Sequence, residues 1–210
     1  LVELDRKGFL KRVHGGAILI SKTTSTNEDP LTKRQKLHLE EKRKIAKYSA
    51  KLIEAGDVVY IDAGSSTLEL IEYLDQKEAH YITNGLVQAQ QLTLKGFHVV
   101  SLGGEVRNIT GACVGSTTLL ALQRYHFTKG FFGTNGIDVN AGFTTPDSEE
   151  AMIKQKAMER SRISYVLADH SKFNCVYPVN FGKIEDAMIL TDYCENELKE
   201  IATIVEVKEL

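Results

Sequence analysis

Apolar and polar positions fall into repeating blocks along most of this chain. From Asp57 onward, short β-branched or aromatic runs are each followed by a stretch in which apolar residues recur every three or four positions. The first such pair is Val58-Val59-Tyr60-Ile61, then Leu68, Leu70, Ile71 and Leu74. The pattern predicts strands near 58–61, 80–83, 97–102, 129–133, 163–168, 187–191 and 203–206, and helices near 66–75, 85–94, 115–124, 147–160 and 194–201. Several of these strands are continuous apolar runs, as expected for a sheet buried on both faces. Strand–helix alternation with short loops builds a Rossmann-like α/β fold, a mostly parallel sheet flanked by helices. The alternation fails near 133–145, where Asn135-Gly136 and Ala141-Gly142 point to a small β-excursion.

The first part of the chain has another character. Leu1–Asp5 reads as the last turn of an amphipathic helix, and residues 6–20 as a short hairpin carrying Arg6, Lys7, Lys11 and Arg12 and broken at His14-Gly15-Gly16. A helix end followed by a basic hairpin is what the wing of a winged helix-turn-helix would leave behind, so residues 1–20 are expected to be its remnant. Its cations would lie beside DNA phosphates or the minor groove; a solvated charged hairpin is the alternative. Residues 21–31 are polar, contain Pro30 and lack periodicity, so they read as a linker. Residues 32–210 form the main domain, opening with a long charged helix from Thr32 to Ala55 closed by Gly56. In that helix Leu37, Ile45, Tyr48 or Ser49, and Leu52 recur at near-helical spacing, and it is a candidate for a subunit contact.

Composition narrows the function. With 210 residues and a net charge of −2, the chain is no general polyanion binder, so any nucleic-acid contact must be local. Cys113, Cys175 and Cys194 are odd in number and lack a CxxC spacing, which fits reduced thiols in a cytoplasmic protein. No apolar run approaches the roughly 18 residues that span a bilayer.

In parallel sheets ligands bind beyond the carboxyl ends of the strands. There the sequence places Asp62-Ala63-Gly64-Ser65-Ser66-Thr67, then Thr83-Asn84, Gly103-Gly104, Gly133-Thr134-Asn135-Gly136, and Asp169-His170-Ser171-Lys172. The first stretch is a strand, a glycine turn, a hydroxyl cluster and a helix start. Unpaired N–H groups and the helix dipole make such a start an anion site, although a plain helix cap has the same residues. Lys154 and Lys172 supply positive charge. No G-x-x-x-x-G-K-[ST] or G-x-G-x-x-G motif is present. His14, His38, His80, His98, His126 and His170 show no metal-ligand spacing, so neither metal nor cofactor is expected.

An ordered series of motifs resembles the DeoR family of bacterial transcriptional repressors. It comprises Arg12-Val13-His14-Gly15-Gly16-Ala17, Glu41–Gly56, Asp62–Thr67, Ile82-Thr83-Asn84, Leu102-Gly103-Gly104, Gly133–Asp138, Glu150-Ala151-x-x-Lys154 and Asp169-x-Ser171-Lys172-Phe173. The resemblance covers essentially the whole chain. It implies an N-terminal winged helix-turn-helix for operator DNA, here mostly missing, and a sensor domain resembling ribose-5-phosphate isomerase that binds a phosphorylated sugar. The family's Gly-Ser-Thr-Thr loop stands here as Gly64-Ser65-Ser66-Thr67, keeping the hydroxyl. If Gly133–Asp138 is aligned with the isomerases, Asn135 and Gly136 replace their adjacent carboxylates. An amide does not titrate near neutral pH, so it cannot serve as the base that isomerisation requires.

The expected effector set is therefore Asp62, Gly64, Ser65, Ser66, Thr67, Thr83, Asn84, Gly103, Gly104, Gly133, Asn135, Gly136, Lys154, Asp169 and Lys172, in a cytoplasmic homo-oligomeric repressor that is not an enzyme and contacts no membrane. A phosphosugar isomerase with Asp138 or Glu150 as base is the alternative. A structural oligomerisation domain built on the 32–55 helix is a third.

Overall fold

The computed structural model describes residues 10–13, 15–19, 29–194 and 202–207. The expected helix end at 1–5, Arg6, Lys7, the linker up to 28 and all of the expected helix at 194–201 but Cys194 lie outside the described residues. The basic hairpin is present as backbone. β1 (Leu10–Val13) pairs antiparallel with β2 (Gly16–Leu19), setting Lys11 opposite Ile18 and Arg12 opposite Ala17.

The continuous helix expected over 32–55 is broken into two. α1 spans Leu31–Arg34 and α2 spans Leu39–Ala50. Between them His38 adopts a left-handed backbone (φ 51°), which no α-helix tolerates in its interior. Lys42, on α2, satisfies the carbonyls freed by the break, donating from Nζ to Arg34 O at 2.5 Å and Leu37 O at 2.7 Å. The apolar stripe shifts accordingly: Leu31 is buried and Leu37 is exposed. Ile45, Ala46, Ser49 and Ala50 face inward against α3 (Ser65–Glu72), so the apolar face of α2 is used within this chain. Gly56 (φ 80°) sits in the turn before the first sheet strand rather than at the helix end.

Among the described residues, seven strands form a wholly parallel sheet. They are β3 (Val58–Ile61), β4 (His80–Thr83), β5 (Val99–Ser101), β8 (Phe127–Gly133), β11 (Ser161–Leu167), β13 (Met188–Thr191) and β14 (Ile204–Glu206), in the order β14-β13-β11-β8-β3-β4-β5. Side chains alternate between its two faces. Val59, Ile61, Phe131 and Leu167 join α2, α3 and α4 (Leu86–Leu94) in one core through Ile45, Ile71 and Leu92. Tyr60, Phe132 and Val166 join α5 (Gly115–Leu122) and α6 (Ser148–Glu159) in the other through Leu122, Ala151 and Ala157. Both faces are apolar, hence the uninterrupted runs: each such side chain removed from water contributes about 1.5–3 kcal/mol whichever way it points.

The excursion near 133–145 is real and larger than expected. β9 (Gly136–Asp138) and β10 (Gly142–Thr145) form a hairpin that recruits β12 (Val179–Gly182), giving a three-stranded antiparallel sheet. β12 escaped sequence reading because only Phe181 of its residues is a buried apolar. Two-residue β6 (Glu105–Val106) and β7 (Cys113–Val114) escaped through brevity. No helix of the described residues is long and apolar enough to cross a membrane.

Candidate functional site

The sheet grows outward in two directions. From β3 the chain adds β4 and β5 on one side; β8 then returns to the other flank of β3, and β11, β13 and β14 continue from there. β3 and β8 are thus the switch point, and loops leaving their carboxyl ends diverge and leave a crevice. It is lined by Arg34, Ala63, Gly64, Ser65, Ser66, Gly133, Thr134, Asn135, Glu150, Lys154 and Lys172.

The loop after β3 forms one wall. Gly64 is the N-cap of α3, extended and without side-chain capping, so the first N–H groups of α3 have no side-chain cap. A Cβ on Gly64 would stand 3.3 Å from Thr67 Oγ1 and 3.7 Å from the Gly133 backbone, so glycine lets the two strand ends approach. Thr67 is fully buried and its hydroxyl donates back to Asp62 O (2.5 Å) and Gly64 O (3.0 Å). It braces the loop rather than facing the crevice.

Beneath the loop lies a buried ion pair. Lys154 Nζ, from α6, donates to Asp62 Oδ2 and to Gly133 O at 3.1 Å, while Gly133 N–H donates to the same Asp62 oxygen at 3.1 Å. Asp62 and Lys154 are 1% and 4% exposed at their side chains. One carboxylate and one ammonium thereby tie β3, β8 and α6 together at the switch point. The acid-rich start of α6 is fastened separately, by Asp147 Oδ1 accepting from the N–H groups of Glu149 and Glu150 and by Arg107 bridging Asp147 and Glu149.

Around the rim stand more cations. Lys172 lies in the one-turn segment His170–Lys172 after β11. Arg34 comes from α1, and its charge was indistinguishable in sequence from its neighbours Lys33 and Lys36 in a solvated run. Lys42 is buried behind it. Burial pushes the Lys42 ammonium down to about 8; Asp169 pulls it back up, while Lys172 and Arg34 push it further down. Asp169 is fully buried: Oδ1 accepts from Ser171, and Oδ2 has no hydrogen-bond partner among the described residues.

Of the expected effector residues, Gly64, Ser65, Ser66, Gly133, Asn135, Lys154 and Lys172 line the crevice, with Asp62 directly behind. The rest lie elsewhere. Asn84 is a buried brace, its Oδ1 accepting from Tyr60 OH (2.9 Å) and Ala63 N–H (3.2 Å) and its Nδ2 donating to Cys113 O (3.2 Å). Thr83 accepts from Gly85 N–H. Gly103 O accepts from the Thr118 hydroxyl at 2.6 Å, and Gly104 packs against the same residue. Gly136 abuts the Cys175 carbonyl, and Asp169 caps the 170–172 turn. Arg34, Ala63, Thr134 and Glu150 join the lining.

The crevice is tight as it stands, with a free volume of about 20 Å³, room for a single water. Its charged lining is Arg34, Lys154 and Lys172 with Glu150, the Lys154 ammonium being paired with Asp62 behind it, together with the N–H groups at the α3 start. A larger cleft of about 380 Å³ between α6 and β12 lies away from the strand ends, with Phe181, Met158, Lys183 and Asp186 among its walls.

The profile described as the DeoR C terminal sensor domain matches residues 37–193. The chain belongs to the DeoR family. It is 44% identical over 196 residues to the HTH-type transcriptional regulator FruR of Bacillus subtilis, covering 93% of this chain and 77% of that protein. It is 33% identical over 206 residues to the lactose phosphotransferase system repressor of Streptococcus mutans, covering 95% of this chain and 80% of that one. The DeoR-family chain is thus a transcriptional regulator. Among solved structures it is similar in fold to ribose 5-phosphate isomerase A of Methanocaldococcus jannaschii, at 17% identity and a TM-score of 0.45, covering 63% of this chain and 53% of that one.

Proposed function

We propose that this DeoR-family chain is the effector-sensing part of a cytoplasmic repressor of a sugar-metabolism operon, and that a phosphorylated sugar binds in the switch-point crevice and alters operator binding. The observation that carries the reading is the convergence of Ser65, Ser66 and the α3 N-terminus with Arg34, Lys154 and Lys172 on one small volume. Backbone N–H groups, hydroxyls and fixed cations are what a phosphate dianion needs. The relative named as a lactose phosphotransferase system repressor supports the sugar-linked role.

The tightness of the crevice suggests how a signal leaves it. A sugar phosphate enters only if a wall moves, and one wall, Arg34, belongs to the four-residue α1. In chain order α1 lies between the basic hairpin and the sheet, so its displacement has a covalent route toward Lys11 and Arg12 and hence toward operator DNA. Coupling of this kind is typically worth about 1–3 kcal/mol. Exposed Leu94 (73%) and Leu120 (62%) are consistent with a homo-oligomer, which sedimentation analysis checks.

Binding without turnover is the second part of the proposal. Asn135 Oδ1 accepts from the Thr145 hydroxyl (3.1 Å), as an amide can and a catalytic base need not. Asp138 is spent on its own turn, accepting from Asn140 and Ala141 N–H. Glu150 lines the crevice and accepts from Thr110 at 2.5 Å, so it is the carboxylate on which the isomerase alternative rests. Calorimetric titration with a panel of pentose and hexose phosphates, alongside the unphosphorylated sugars, is the test. At least one phosphate ester binds and its parent sugar does not, with no isomerised product. Product formation abolished by Glu150→Gln overturns the reading in favour of the enzyme.

A further inference from the structure

The turn between α1 and α2 and the segment after β11 meet outside the crevice, and their meeting brings three ligating side chains together. Donor atoms of His38, Glu41 and His170 all lie within 4.8 Å of one another. The two imidazoles stand edge to face, with ring centroids 5.1 Å apart. His170 is held from behind: Asp192 Oδ1 accepts from its backbone N–H at 2.8 Å and Asp192 Oδ2 from its ring Nδ1 at 2.7 Å. A carboxylate on Nδ1 fixes the tautomer and turns Nε2 outward as an acceptor, the arrangement that orients metal-ligating histidines. His38 reaches the cluster from a left-handed backbone, which histidine adopts more readily than most residues.

We propose that His38, Glu41 and His170 form a divalent transition-metal site with zinc-like preference, oriented by Asp192. Two imidazoles and one carboxylate are a borderline donor set that suits zinc and disfavours magnesium, and three protein ligands leave a fourth position for water. Bond lengths of about 2.0–2.2 Å put the donors of a closed tetrahedral set roughly 3.3 Å apart, so the three side chains must draw closer than their present spread of up to 4.8 Å to close the site. His38 and His170 are separated by most of the chain, which is why no ligand spacing exists in the sequence. The site also has a mechanical consequence. His38 follows Arg34 by one turn and His170 precedes Lys172 by two residues, so a bound ion fastens together the two segments that carry the outer cations of the crevice.

The test is titration of the 210-residue chain with Zn²⁺ by calorimetry, and with Co²⁺ followed by its ligand-field spectrum. About one equivalent of Zn²⁺ binds, and Co²⁺ shows nitrogen ligation. Asp192→Asn weakens binding about 10–100-fold, and His170→Ala, His38→Asn and Glu41→Gln weaken it by more. Asparagine tolerates the left-handed backbone, and circular dichroism of the metal-free variants confirms their fold. His80→Ala, which disrupts the surface pair His80–His98, leaves binding unchanged. No binding at micromolar Zn²⁺, or binding retained in both His38→Asn and His170→Ala, overturns the site, as does binding lost in His80→Ala. The inference stands apart from the effector reading: a chain that binds Zn²⁺ but no sugar phosphate keeps this site and loses the other.

Discussion

Replacing Lys154 with methionine is the most incisive perturbation of the switch point. Methionine keeps most of the side-chain volume and removes the ammonium, so Asp62 stays buried at 1% exposure with only the Gly133 N–H donating to its Oδ2. Breaking a buried pair by removing one partner costs about 3–5 kcal/mol, because the other charge is left uncompensated. For a chain of this size each kcal/mol lowers the midpoint by roughly 2–4 °C, so thermal unfolding should shift down by about 6–20 °C. The double variant Asp62→Asn, Lys154→Met removes both charges and should recover most of the loss, since a coupled pair is strongly non-additive. Denaturant unfolding of wild type, both single variants and the double variant measures that coupling directly. If Lys154→Met costs under about 1 kcal/mol, or the double variant is as unstable as the two singles summed, the pair does not hold the strand ends and the reasoning fails.

Other cations and glycines should behave differently. Lys172→Ala and Arg34→Ala should each weaken sugar-phosphate binding about 10–100-fold in calorimetry with little change in melting temperature, as expected for hydrogen bonds to a charged ligand worth about 1.5–3 kcal/mol; Ser65→Ala should cost less. Gly104→Ala should destabilise by about 1–3 kcal/mol, because its backbone sits at φ 121° and a Cβ would come within 2.0 Å of Thr118 Oγ1; chemical unfolding reads it. Burial pushes the Asp57 carboxyl up, but hydrogen bonds from Lys129, the Glu54 N–H and Thr128 outweigh it and hold the group below its ordinary value. Its folded value being depressed, its contribution is complete above about pH 4 and drains away as pH falls through the folded value. Asp57→Asn should therefore flatten the acid limb of the stability curve, measured as unfolding midpoint against pH.

Much of this architecture is carried by local chemistry. Val58–Ile61 is apolar on both faces and bounded by polar turns, so strand and burial follow from the residues themselves. The Gly64-Ser65-Ser66 helix start is equally local, since a glycine turn and the dipole of the helix it opens suffice to mark it. What escaped was set by partners distant in sequence. The 32–55 helix breaks at His38 although nothing in its charge pattern says so, because Lys42 and the surrounding fold compensate the lost backbone bonds. Arg34 looks like any surface cation until that break aims it into the crevice. Thr67, Thr83 and Asn84 carry the polar atoms of ligand-binding residues but spend them inside the fold, Thr67 and Thr83 on their own loops and Asn84 on Tyr60, Ala63 and Cys113.

The α/β alternation, the strand ends and the glycine turn that opens α3 are legible from the residues alone, because each depends on neighbours within a few positions. Which of those polar ends face the crevice, the pairing of Asp62 and Lys154 beneath it, and the meeting of His38, Glu41 and His170 beside it depend on long-range packing. Those outcomes join residues up to 132 positions apart in the chain (38 to 170), and the strand order that brings them together is written in no local pattern.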